Sequence, residues 1–291
     1  MNWNSYEVTA VCIDSLRNIS YPNARVIVVD NASIDDSARK LKTEYPEIKL
    51  LLNSVNTGFT GGNNTGIQWA LDWSFDLIML LNNDTVVTPG FADRLVETYQ
   101  KDDNIGVVQP KILFNKRRDL IWNAGSTYNS FFCYFGTKGF MKADLGQYNE
   151  VKEIPWVTGC CFLLSTDIVR KVGLLDEKFF MYFEDSDWSF KIRELGYRLL
   201  YQPASIIYHE AGMSEKNQDE HGEGNVSPFT RYVGVRNHLY FIKRHVKGFN
   251  TIGAWTYQIL RLLAFFFYFL FRGRFKKLKA VLTGFRDGLL G

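Results

Sequence analysis

Cysteine is scarce, four residues in 291, and Cys12, Cys133, Cys160 and Cys161 show no metal-site spacing. Adjacent cysteines rarely bond each other, so free thiols and a reducing compartment are expected. No Gly-x-x-x-x-Gly-Lys-Ser/Thr loop and no Gly-x-Gly-x-x-Gly turn occurs, which excludes a P-loop NTPase and a dinucleotide fingerprint. A basic, glycine-rich triphosphate loop near the start is also missing, which argues against a nucleotidyltransferase. The opening Met-Asn-Trp-Asn-Ser-Tyr-Glu has neither a basic n-region nor an apolar h-region, so no secretion signal is expected there. Acids are almost absent from the C-terminal part. From Gly224 onward twelve Lys or Arg face a single acid, Asp287, giving +11 there and −8 for residues 1–223. An acidic body excludes nucleic acid as a partner, whereas a basic, aromatic tail suits an anionic membrane surface.

What is present is organised around Phe75 to Pro89. Leu77 to Leu81 is an apolar run of strand length that stops at Asn82, Asn83 and Asp84. Ligands of open α/β sheets sit beyond the carboxyl ends of strands, so Asp84 is expected to anchor the chemistry, as a hard ligand for Mg²⁺ or Mn²⁺ shared with phosphate oxygens. The plain alternative is an Asn-Asn-Asp turn closing a strand.

Earlier in the chain, Val8, Val11, Cys12, Leu16 and Ile19 predict a helix ending near Ser20, and Arg25 to Val29 predicts a strand closing on Asp30. Ser33 is placed to cap a helix with Asp35 and Asp36 in its first turn. Ile48 to Leu52 predicts a second strand, leading into the glycine- and amide-rich Asn56 to Gly66, which lets backbone approach a ligand or forms an ordinary tight loop. Thr88-Pro89 opens a helix to Tyr99; Ile105 to Pro110 and Lys111 to Phe114 read as two short strands. Lys116 to Ile154 is aromatic and irregular. Trp156 to Ser165 reads as a buried strand interrupted by Gly159, followed by a helix from Thr166 to Val172. Trp188, Ile192 and Leu195 with Gly196 predict a helix over 185–195, with Glu184 and Asp185 at its N-terminus, where the dipole favours their ionised forms. Asp185 is then either a catalytic base or an N-cap, and Asp187 a solvated first-turn acid.

Asn2-Trp3-Asn4-Ser5-Tyr6, Val28 to Ser33, Asn56 to Gly66, Leu80 to Thr85, Val157-Thr158-Gly159, Gly173 to Asp187 and His209 stand in the order and style of the family 2 glycosyltransferases. The chain most resembles their rhamnosyltransferase-like branch, from Asn2 to about Lys247. The resemblance implies an α/β GT-A fold, a Rossmann-like, mostly parallel sheet flanked by helices, and inverting sugar transfer from a nucleotide diphosphate donor to a hydroxyl. It implies a catalytic domain over 1–225, its nucleotide-sugar half ending near 115, and an extension over 226–291. By the same resemblance Asp30 reads the pyrimidine base, and Asn4, Asn31, Asn56, Gly58, Gly62, Asn63, Asn82, Asn83 and Arg236 line the donor. Asp84 and His209 hold the metal. Asp185, with Glu184, supplies the base, and Trp156, Gly159 and Asp187 face the acceptor. The expected partners are a dTDP- or UDP-sugar, rhamnose first, and a lipid-linked or cell-surface glycan. The alternative is a catalytically silent sugar-nucleotide-binding or scaffold protein of a polysaccharide assembly complex.

The family's first strand lies between the strands that correspond here to Arg25–Asp30 and Leu77–Leu81, and this sequence begins at the turn after it. A gap in the sheet, or two strands closed up, is therefore expected, from a late start site or a truncated copy. Ala211 to Pro228 reads as a polar lid. In Ile252 to Phe271, twenty residues long, Thr251, Gln258, Arg261, Tyr268 and Arg272 share one stripe, which favours a helix lying in the membrane interface over one that spans. Phe275, Leu278, Val281, Leu282, Phe285 and Leu289 oppose Arg274, Lys276, Lys277 and Lys279 as in a basic interfacial helix. The expected location is peripheral, on the cytoplasmic face of the inner membrane; the alternative is a tail packed on the catalytic domain or in a homo-oligomer.

Overall fold

The computed structural model describes residues 1–210 and 226–291, so the expected lid lies almost wholly outside the described residues. The elements in chain order are α1 Tyr6–Leu16, β1 Ile27–Asp30, α2 Ser37–Glu44, β2 Lys49–Leu52, α3 Gly58–Asp72, β3 Leu77–Leu81, β4 Thr85–Val87, α4 Phe91–Tyr99 and β5 Ile105–Phe114. There follow β6 Ile121–Asn123, β7 Ser126–Asn129, β8 Tyr134–Thr137, β9 Lys152–Glu153, β10 Cys161–Ser165, α5 Thr166–Val172, α6 Glu184–Glu194, β11 Arg198–His209, α7 Pro228–His245, α8 Asn250–Phe271 and α9 Phe275–Leu290. Two compact units form: one of Met1–Thr127, Thr137–Phe180 and Glu184–Ala211, the other of Tyr128–Gly136, Met181–Phe183 and Gly212–Gly291.

In the first unit the main sheet has the order β3-β10-β5-β11-β4. It is mixed rather than mostly parallel: β10 runs antiparallel to both β3 and β5, β4 antiparallel to β11, and only β5 and β11 are parallel. The two short strands expected over 105–114 are one strand, β5. Pro110 fits inside it because the register with β11 shifts between Gln202 and Ile206, where no ladder hydrogen bond is required of the proline. Successive side chains of β10 go to opposite faces, Phe162 and Leu164 to a core with Ile67, Trp188 and Ile192, and Cys161 and Leu163 to one with Phe91, Leu95 and Ile207. Each large apolar side chain so buried contributes roughly 1.5–3 kcal/mol.

The sheet has the expected gap. Among the described residues β1 pairs in parallel with β2 alone, and its other edge meets only Asn2, which bridges to Asp30. The outer edge of β3 has no strand partner among the described residues. A cavity of about 1030 Å³ is lined by both strands together with Cys12, Ile13 and Ile67.

Ser33 does not cap α2. Its hydroxyl donates to Asp30, 2.7 Å away, and accepts from the Asn4 amide, and α2 begins only at Ser37. Ser165 does cap α5, accepting from the Ile168 amide at 3.2 Å. In the helical unit α8 inverts the expected orientation: Gln258 is buried and Arg261 packs inward, while Ile252, Leu260, Leu263, Phe267 and Phe271 are exposed. α8 is long and apolar enough to cross a bilayer. α9 packs on α7 through Val281 and Leu278, and buries Lys277 rather than displaying it.

One buried charge in the sheet unit makes a test. Lys111 is 2% exposed and its Nζ binds Asp144 at 2.9 Å and Asn149 Oδ1 at 2.6 Å. Removing one partner of a buried pair strands the other charge, whereas an apolar isostere removes the problem. Asp144→Ala is expected to lower unfolding free energy by about 3 kcal/mol and Lys111→Met by much less, read from urea denaturation. Equal losses would refute the assignment.

Candidate active site

Thr85 pairs with His209 across β4 and β11, and this register brings the preceding Asp84 against the imidazole. Asp84 Oδ1 lies 3.1 Å from His209 Nε2, an ion-pair separation without hydrogen-bond geometry. Buried Asp84 Oδ1 and His209 Nδ1 have no hydrogen-bond partner among the described residues. The Trp122 ring fixes the imidazole edge-on, with centroids 4.6 Å apart. An orphaned carboxylate oxygen beside an imidazole fits a divalent ion. No third His, Cys, Asp or Glu joins them among the described residues, so phosphate oxygens and water would complete such a shell.

Around this point the amides divide into two kinds. Asn82 donates its backbone N–H to the Cys160 carbonyl, 2.9 Å away. Asn83 turns inward, its Nδ2 donating to Thr9 Oγ1 at 2.7 Å and Ser5 Oγ at 3.0 Å, so it ties α1 to the turn instead of lining a donor. Asn31 is likewise spent on the loop. Its Nδ2 donates to Asn56 Oδ1 and the Gly58 carbonyl, and its Oδ1 accepts from Asn53 and Thr57. Asn56 accepts in addition from the Gly58 amide, and Asn63 donates to the Phe59 carbonyl within α3. Asp30 accepts from Asn2 Nδ2, Ser33 Oγ and the Ser33 amide, about three of the four acceptor positions of a carboxylate, which leaves one for a ligand. Asn4 has φ +48° and accepts from the Ile34 amide.

The glycines answer to close packing. Gly58 has φ +72°, and a Cβ there would stand 2.5 Å from the Phe180 carbonyl oxygen; a Cβ on Gly62 would meet Met1 Sδ at 2.1 Å. Both allow neighbours to approach α3 whether or not a donor does. The residue that sequence reasoning passed over is Asn64. Its amide donates to the Leu175 carbonyl at 2.8 Å and accepts from the Leu175 amide at 3.0 Å, holding the loop before Glu184 and Asp185 to α3. Its only sequence signal is a second asparagine in an amide-rich stretch.

Glu184 and Asp185 begin α6 after a loop in which Phe180, Tyr182 and Phe183 all have positive φ, 63° to 73°. Such backbone costs roughly 1–3 kcal/mol per residue and persists where surroundings over-determine it. Asp185 Oδ2 accepts from the Gly159 amide at 2.7 Å and Oδ1 from the Ser186 amide at 2.6 Å. Glu184 Oε2 has no partner among the described residues. Burial raises both carboxyls above their ordinary values, Glu184 far more, with the neighbouring Asp185 adding to it. The expected ionisation by the helix dipole is thus outweighed by desolvation. Because Asp185 holds the donors, the pair's proton sits on Glu184 and its charge on Asp185.

The expected acceptor residues part company. Gly159 touches Asp185 through its amide, and Trp156 is half-buried with its indole donating to the Thr127 carbonyl at 3.0 Å. Asp187 is 1% exposed and paired with Lys191 one turn on, 2.8 Å away, so it secures α6 instead of meeting an acceptor. Arg236 is on α7 in the helical unit, its guanidinium over Tyr232 and Tyr240 and its Nε donating to Asn237.

Glu184 carries a sign-definite pH effect. A carboxyl raised on folding adds stability below its unfolded value and loses it as pH rises through the folded value. Glu184→Gln is therefore expected to raise Tm at pH 8, the difference vanishing below the ordinary glutamate value of 4.5. A Tm difference independent of pH would contradict the buried, protonated acid.

The family model for glycosyl transferase family 2 matches residues 2–173. The low-salt glycan biosynthesis hexosyltransferase Agl10 of Haloferax volcanii is 28% identical over 171 residues, 58% of this chain and 53% of that protein. The chain thus spans about half of that relative's length. The N-acetylglucosaminyl-diphospho-decaprenol L-rhamnosyltransferase of Mycobacterium tuberculosis is 27% identical over 226 residues, 67% of this chain and 70% of the relative. The dTDP-rhamnosyl transferase RfbF of Shigella flexneri is 21% identical over 268 residues, 89% and 87% of the two chains. Among solved structures, the mannosyltransferase PcManGT from Pyrobaculum calidifontis in complex with GDP-Man and Mn²⁺ superposes with TM-score 0.58 at 14% identity, covering 99% of this chain and 85% of that one. GalNAc-T7 with UDP, GalNAc and Mn²⁺ gives TM-score 0.58 at 16% identity over 85% of this chain and 51% of that one. These structural likenesses establish the GT-A fold.

Proposed function

Because the chain belongs to glycosyl transferase family 2, we propose that it moves a sugar, with inversion, from a nucleotide diphosphate to a hydroxyl of a lipid-linked or cell-surface glycan. The observation that carries the reading is Asp185: a half-buried carboxylate, braced by the Gly159 and Ser186 amides and relieved of its neighbour's charge by the proton on Glu184. In the proposed step Asp185 takes the proton of the acceptor hydroxyl as its oxygen bonds to the anomeric carbon, and the bond to the departing diphosphate breaks on the opposite face. A carboxylate raised by burial is a stronger base than a solvated one. Asp84 and His209 would hold Mg²⁺ or Mn²⁺, which offsets charge developing on the leaving diphosphate. Asp30, with one acceptor position left, would take an N–H of the base.

Likeness to the dTDP-rhamnosyl transferase of Shigella supports a dTDP-sugar as donor, and likeness to the Mycobacterium rhamnosyltransferase supports a lipid diphosphate acceptor. The basic C-terminal helices, with the exposed apolar flank of α8, support a place at the cytoplasmic face of a membrane.

Asp185→Asn is expected to lower transfer by about 10²–10⁴-fold while thermal stabilisation by dTDP with Mn²⁺ is retained. Stabilisation by UDP in place of dTDP would reassign the donor. Unchanged glycan production in cells carrying Asp185→Asn would replace the enzyme reading with a scaffold.

A further inference from the structure

Trp156 to Gly159 lies between β9 and β10, outside any strand, so no ladder supplies acceptors for its amides. Val157, Thr158 and Gly159 are nevertheless buried, and buried N–H groups need partners. Side chains provide them. Four successive amides each donate to one: Trp156 to Ser126 Oγ at 3.3 Å, Val157 to Ser189 Oγ at 3.1 Å, Thr158 to Gln109 Oε1 at 2.7 Å and Gly159 to Asp185 Oδ2 at 2.7 Å. The last of these braces the carboxylate. Gln109 and Ser189, which hold the two amides before it, have no part in the proposed step itself.

Gln109 sits on β5 with no exposed surface, which is unfavourable for an amide unless its polar atoms are matched. Its orientation is fixed from both ends by backbone donors. The Gly125 amide donates to Asn123 Oδ1 at 2.8 Å, so the group that Gln109 turns to that same oxygen, 2.9 Å away, is its Nε2, and Oε1 is left to the Thr158 amide. An apolar side chain of equal size would fill the same space on β5 but would leave that amide without its acceptor. Ser189 is an independent observation. It stands one turn along α6 from Asp185, also without exposed surface, and its hydroxyl donates to the Asp185 carbonyl at 2.6 Å while it accepts from Val157. One oxygen thus ties the residue that bears the carboxylate to the segment that bears its donor.

We propose that Gln109, oriented by Asn123, and Ser189 are positioning residues that hold Thr158 and Val157 so that the Gly159 amide meets Asp185 Oδ2. Neither residue touches the carboxyl. They act on it through that amide, since a carboxylate that loses an N–H donor is less favoured in its ionised form. Glu184 is the titratable group next to Asp185, and the following charges of α6, Asp187 and Lys191, pair with each other at 2.8 Å. The groups that brace the segment from β5, β6 and α6, namely Gln109, Asn123 and Ser189, are neutral, so hydrogen-bond geometry is what their replacement changes. Calling Asp185 the base of a transfer rests on the transferase reading; the placing of its carboxyl does not.

The test is a pH titration of the Asp185 carboxyl in the full chain by carbon-13 NMR with labelled aspartate, the signal assigned by its loss in Asp185→Asn. Gln109→Met keeps the volume and removes the acceptor, and it is expected to raise the Asp185 midpoint by about one pH unit. Ser189→Ala should move it in the same direction. Ile192→Val loosens the same core without touching these bonds and should leave the midpoint in place. Should Gln109→Met fail to fold, Ser189→Ala decides by the same criterion. An unmoved midpoint in the folded variants, or an equal shift in Ile192→Val, would overturn the positioning role whatever a transfer assay shows. In that assay the acid limb of the pH–rate profile should rise with the midpoint. A shifted midpoint in a chain that transfers no sugar would count against the transferase and leave the positioning of Asp185 standing.

Discussion

The rest of the sheet unit depends on one arrangement: two adjacent carboxyls at a helix start, Glu184 buried and Asp185 half-buried, with neutral hydrogen-bond donors as the partners that hold Asp185. Two charges so placed cannot both persist, so one acid keeps the proton. Which one is decided by geometry. Gly159 and Ser186 supply amides to Asp185, and none reaches Glu184 Oε2. Keeping the amide of Gly159 within 2.7 Å demands that the segment entering β10 pass directly over the first turn of α6. A Cβ on Gly159 would stand 3.3 Å from the Phe59 ring and 3.5 Å from Asp185 Oδ2, so a larger residue would push that segment off the base.

The loop that delivers Glu184 is held from the other side by Asn64, through both backbone groups of Leu175, and by the Thr60 amide on the Phe180 carbonyl at 3.0 Å. These bonds explain how three non-glycine residues with positive φ can stand close together: the chain on either side is fixed by hydrogen bonds and burial, so relaxation of the backbone would break them. The glycine stretch, expected to let backbone approach a ligand or to form a tight loop, is used here for packing within the fold. It lets the loop dock on α3, and Gly58 is the point of closest approach.

Much of this was legible in the chain. The apolar run ending at Asp84 is β3, and Gly196, with φ +90°, closes α6 as its position implies. The polar residues beside these landmarks were harder to place, because an amide or hydroxyl serves a ligand or its own backbone with the same atoms. Asn31, Asn83 and Ser33 were all taken by neighbours distant in sequence, and Asp187 by Lys191. Periodicity also fails where both faces of a helix have somewhere to go. On α8 the polar stripe finds His238 inside the unit, so Gln258 and Arg261 turn inward and the apolar side remains outside. The order of strands was hidden for a different reason: β10 enters between β3 and β5 from far along the chain, and no local pattern announces an antiparallel insertion.

Charge segregation bears on the donor site. Residues 1–223 carry a net charge of −8, and the nucleotide diphosphate of the proposed donor would bring further negative charge to them. An acidic field raises the free energy of such a ligand over distances of about a Debye length, roughly 8 Å at physiological salt, so compensation must be local to be effective. The sheet unit offers an acid and an imidazole side by side, Asp84 and His209, where β4 pairs with the end of β11. Were the proposed divalent ion held by Asp84 and His209, the same acidity that disfavours a bare diphosphate would favour one that arrives with its metal.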